Sequence, residues 1–157
     1  MWPTKHEQGP AGQAHDTRVL SLLHHEEVQS IGRLPLEAIL GVYTGPTNSV
    51  ESFRPNRVFV DFLHRVFAEQ SSHGSDLVAA ARKQRNGWVY VIDPRCPDPR
   101  GPVMPEDIFG AFEVRDGELV PGSYRGNGEY RVLTANGMTQ LTESQRAAFR
   151  LALTRDL

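Results

Sequence analysis

At 157 residues the chain is long enough for one domain, which would bury roughly 70% of its unfolded surface. Hydrophobic residues make up 39% and charged residues 23%, so a core is expected and disorder belongs at the ends. Net charge is −2 with arginines and acids interspersed, which leaves no basic stripe for a phosphate backbone and makes nucleic acid a poor partner.

Residues 1–16 hold Gly9, Pro10 and Gly12 among polar side chains and read as a loose tail. The first residues carry no apolar run of a signal peptide, and no stretch nears the length of a spanning helix. A cytoplasmic protein without membrane insertion is therefore expected. Cys96 is the only cysteine, so neither a disulfide within the chain nor a thiolate cluster can form.

From Asp16 the spacing of Val19, Leu20, Leu22, Leu23, Val28 and Ile31 predicts a helix ending at Gly32. Residues 36–44 read as a short helical turn running into a strand. Pro55 to Glu69 is the clearest helix, with Phe59, Phe62, Leu63, Val66 and Phe67 on one stripe. A second helix starts at Ser75 and stops at Asn86-Gly87. Trp88 to Ile92 reads as a covered central strand, apolar on both faces. Five prolines between Asp93 and Pro105 demand an extended loop. Ile108–Val114 pairs with Glu118–Val120 through Asp116-Gly117, a further strand is expected over 130–134, and Thr142 with Gln145 caps a closing helix. The sum is an α+β domain over 17–157, a mainly antiparallel sheet with three to four helices.

Residues 35–56 echo residues 105–127. Pro35, Ile39, Gly41 and Tyr43 correspond to the Pro105, Ile108, Gly110 and Phe112 series, and Ser52-Phe53-Arg54-Pro55-Asn56 to Ser123-Tyr124-Arg125-Gly126-Asn127. An isoleucine and an aromatic on one strand face, with a glycine where something must come close, suggest a duplicated unit.

No catalytic motif is complete. His24-His25-Glu26-Glu27 has only His24 and Glu27 at a helical ligand spacing, so no metal site is expected. His64, with Asp61 one turn earlier, is a candidate general base, and Tyr90, Arg125 and Tyr130 are candidate ligand-binding groups for a pocket between the 55–69 helix and the 88–92 strand. Arg95, Arg100 and Met104 stand in the proline loop as candidate partner contacts. No cofactor is implied.

Residues 88–131 resemble the small type VII secretion system-associated proteins of actinobacteria. The likeness rests on Val89-Tyr90-Val91-Ile92-Asp93-Pro94, Pro105-Glu106-Asp107-Ile108-Phe109-Gly110, Asp116-Gly117 and Asn127-Gly128-Glu129-Tyr130-Arg131. The same segment is similar to the stretch after the catalytic glutamates of cholera- and scabin-like mono-ADP-ribosyltransferases. Residues 93–103 contain no glutamate to serve as the expected pair, so that likeness implies a degenerate domain without NAD chemistry. The expectation is a non-catalytic interaction or accessory protein, secretion-associated or of the immunity type, with another protein as partner and a homodimer left open. An enzyme or small-molecule binder is the alternative.

Overall fold

The structure, a computed structural model, describes residues 2–8, 15–69 and 74–156. It is α+β with mainly antiparallel sheets, and its residues group into two compact units, 1–62 and 63–157, where the sequence suggested one domain over 17–157. Among the described residues no helix is long and apolar enough to cross a membrane.

The first unit is built on a sheet in the order β1 (Trp2–Gln8), β2 (His15–Ser21), β3 (Ile39–Thr44), β4 (Phe53–Pro55). Two expectations change here. Part of the expected loose tail is β1, paired antiparallel with β2 from Trp2↔Ser21 to Gln8↔His15, because backbone pairing needs no apolar side chains. The helix expected from Asp16 is instead β2 followed by the short α1 (His25–Ile31), which ends on Gly32 at φ 91°. Leu20, Leu22 and Leu23 are buried all the same. The division between the units falls within α2 (Arg57–Glu69), whose Phe59, Phe62, Leu63, Val66 and Phe67 are all buried as the stripe predicts.

The second unit places α3 (Ser75–Gln84) before a sheet in the order β5 (Gly87–Ile92), β6 (Ile108–Arg115), β7 (Glu118–Leu119). β8 (Arg125–Gly126) also pairs with β6. β9 (Leu133–Thr134) and β10 (Gly137–Met138) form a small hairpin, and α4 (Glu143–Asp156) closes the chain behind the expected Thr142–Gln145 box. Among the described residues β5 is an edge strand, not a central one. Its aromatics face out, with Trp88 40% and Tyr90 61% exposed, while Val89 and Val91 are buried.

The echo is structural. In each unit a 3₁₀ turn (Leu36–Ala38, Pro105–Asp107) leads into the strand. Asn56 Nδ2 donates to the carbonyls of Leu36 and Ile39 at 2.9 and 2.8 Å; Asn127 Nδ2 donates to those of Pro105 and Ile108 at 2.7 and 2.9 Å. The backbone N–H groups of the same asparagines reach Leu40 and Phe109 at 3.0 and 2.9 Å. Both sheets slip register at the same place, Leu20/Ser21 against β3 and Val91/Ile92 against β6. A Cβ at Gly41 would meet the Arg54 carbonyl and the Phe53 ring, and one at Gly110 the Arg125 carbonyl and the Tyr124 ring. Only glycine lets those strands approach. After the asparagines the copies part, into α2 in one and a turn in the other.

Candidate functional site

The proline loop turns inward at its start. Arg95 is 7% exposed, and its Nε lies 2.8 Å from Asp107 Oδ1 and 3.3 Å from Asp93 Oδ2. Its terminal nitrogens donate to the carbonyls of Val132 at 2.7 Å, Gly137 at 2.9 Å, Glu106 at 3.1 Å and Arg131. Thr139 donates to Asp93 at 2.6 Å, and Thr134 and Asn136 donate to Asp107 at 2.9 and 2.6 Å. Burial raises the Asp93 carboxyl above its ordinary value, opposed by these hydrogen bonds and by Arg95. Arg95, expected as a partner contact, is thus an internal tie joining the loop to residues 130–140. Cys96 beside it is buried. Arg100 and Met104 do lie exposed, Met104 at 54%.

Asp61 and His64 are held by different partners. Asp61 pairs with Arg57 at 3.2 Å on an exposed helix face. The His64 Nδ1 lies 2.8 Å from the Tyr124 hydroxyl, which donates to the Phe109 carbonyl at 3.2 Å. Tyr130, with its hydroxyl donating to Thr139 at 2.7 Å, is buried in the same aromatic cluster. Burial raises both phenols well above their ordinary range, so they stay neutral. Glu27, from the histidine-rich run, accepts from the His24 backbone at 2.9 Å and caps α1.

Of the candidate ligand groups, Tyr90 and Arg125 come together and Tyr130 does not. Successive strand residues face opposite ways, and Gly126 faces the His64 ring. Arg125 therefore points to the other side of the sheet. His64 and Arg125 are divided by the sheet itself, so the pocket expected to hold both is not formed. On the outer side, Tyr90, Ala111 and Arg125 stand in one row across three strands. The Arg125 guanidinium lies 5.3 Å from the Trp88 ring centre. A shallow depression of about 290 Å³ runs between Tyr90, Ile108, Ala111 and Arg125. Trp88 had escaped the sequence reading, although the alternation of aromatic and valine over 88–91 was visible there.

This outer face brings together aromatic rings and a guanidinium, with Glu129 also lining the depression and Glu113 standing opposite Trp88, a composition suited to contact. Beside it, along the edge of β5, runs a groove of about 460 Å³ whose far wall is α3. Comparison with protein-family models, curated proteins and solved structures finds no significant match for this chain.

Proposed function

We propose that the chain is a non-catalytic protein-interaction protein whose contact surface is the outer face of its second sheet. The exposed trio Trp88, Tyr90 and Arg125 carries this reading. Tryptophan, tyrosine and arginine dominate the energetics of protein interfaces, because each offers a large rigid surface with a polar handle. Here Trp88 and Tyr90 stand in solvent although each could bury its ring, and Arg125 stacks on one of them. An accessory role of the secretion-associated kind, or inhibition of a toxin, fits such a surface, and the resemblance of residues 88–131 favours the former.

Affinity capture from the native cell with the wild-type chain, Trp88→Ala, Tyr90→Ala and an Arg100→Ala/Met104→Ala pair tests the placement. Each aromatic truncation should weaken capture of the partner by about 2 kcal/mol, roughly thirtyfold, without moving the thermal midpoint. Undiminished capture by both aromatic variants, with loss in the loop pair, would return the contact to the proline loop.

A further inference from the structure

We infer that the outer edge of β5 takes up an extended apolar segment of another protein as an added antiparallel strand, a proposal that rests on the interaction reading above. The backbone supplies the first argument. Asn127 and Val120 donate to the carbonyls of Phe109 and Glu113, so the odd-numbered peptide groups of β6 turn toward β7 and β8. Gly110, Phe112 and Val114 then bond to Val91, Val89 and Gly87, opposite them in register. The N–H and C=O groups of Trp88, Tyr90 and Ile92 are left pointing away from the sheet. Among the described residues no strand pairs with them.

The duplicated unit supplies the occupant. β2 is the counterpart of β5, with the same register slip, and its outer edge is filled by an antiparallel strand, β1. This architecture therefore already accepts a strand at that position. The groove has the matching form. Tyr90, Val91 and Ile92 line it consecutively, which places it along the strand's edge and not over one face, and Leu77, Ala80 and Pro94 make it apolar. Of its two charged lining residues, Asp93 is buried against Arg95 and Asp76 is exposed, so the charge an incoming segment meets is negative and the fitting segment lacks acidic residues. A second folded copy presenting its own β5 would bring its own α3 along the same edge, whereas a single extended segment needs only the strand spacing of about 4.8 Å.

The test pans a random linear peptide library on the full chain and follows amide exchange with the best synthetic peptide bound. Expected are selected peptides poor in Asp and Glu, exchange at Trp88, Tyr90 and Ile92 slowed at least tenfold, and at least tenfold weaker binding to Ala80→Phe, which fills the groove from an exposed helix position. Peptides that bind without slowing those amides overturn the added strand. If their binding still falls in Trp88→Ala, the face reading stands and only this inference fails. Failure to select any peptide overturns it too, as does concentration-dependent protection without peptide, which would make a second copy the occupant. The exchange readout on the wild-type chain stands even if Ala80→Phe does not fold.

Discussion

Arg95 concentrates more of the second unit's polar bonding than any single side chain around it. A buried guanidinium is costly to desolvate, and here two carboxylates and four carbonyls offset that cost. Tyr130 adds its ring face at 5.7 Å. Replacing the arginine with methionine keeps the volume but leaves Asp93 and Asp107 facing each other without a cation. Arg95→Met should lower stability by about 3–5 kcal/mol at pH 7, read from the urea midpoint. The sign with pH follows from the Asp93 carboxyl. Losing the cation removes an influence that holds the raised Asp93 value down, so the folded variant binds a proton there more readily than the unfolded one and its stability falls as pH rises. The deficit against wild type should therefore shrink at pH 4. A deficit that stays constant would mean that the carbonyls, not the acids, are what the arginine satisfies.

Among the elements, the two strand-entry turns show how little sequence is needed to repeat a structure. One asparagine per copy ties a 3₁₀ turn to the strand after it through two donated bonds. Asn56→Ala and Asn127→Ala should each cost about 1–3 kcal/mol by urea unfolding, and Asp at either position should recover only part of it, since a carboxylate still accepts from the Val58 or Glu129 N–H but cannot donate to the two carbonyls. Full rescue by Asp would contradict the donated bonds. These turns were legible beforehand because their requirements are local: the asparagines, Gly41 and Gly110 recur at matching positions. The strand β2 was not. Val19, Leu20, Leu22 and Leu23 suit either period, and the choice is made by β1 and β3, which hydrogen-bond to it from elsewhere in the chain. Arg95 escaped for the same reason. A proline-rich loop looks exposed until the carbonyls of residues 131–137 are seen to close over it. Of the candidate site, Tyr90 and Arg125 were foreseen and their meeting on an open face was not, because the register that joins them belongs to the sheet.

For the molecule as a whole, the duplication predicts a pattern in hydrogen exchange. Protection should peak at β2 and β3 and again at β6, the strands flanked on both sides, with the asparagine-tied turns recurring at matching places. The copies should differ at one place. Thr17, Val19 and Ser21 are opposed by β1, whereas among the described residues no strand opposes Trp88, Tyr90 and Ile92, so the latter three amides should exchange faster in the free chain. Equal rates would indicate that the β5 edge is already occupied.

Two copies of one strand set in a single polypeptide also create a wiring hazard during synthesis, because β5 could dock on β3 as readily as on β6 by backbone alone. The ionic hub weighs against that crossing. The counterpart of Asp107 in the first copy is Ala38, and that of Asp93 is Leu22. A crossed pairing would set Arg95 beside an alanine methyl in place of Asp107, leaving it only the Asp93 that travels with it, a loss that disfavours the intruding strand. The guanidinium thus acts as an address, letting one repeat recognise its own parts.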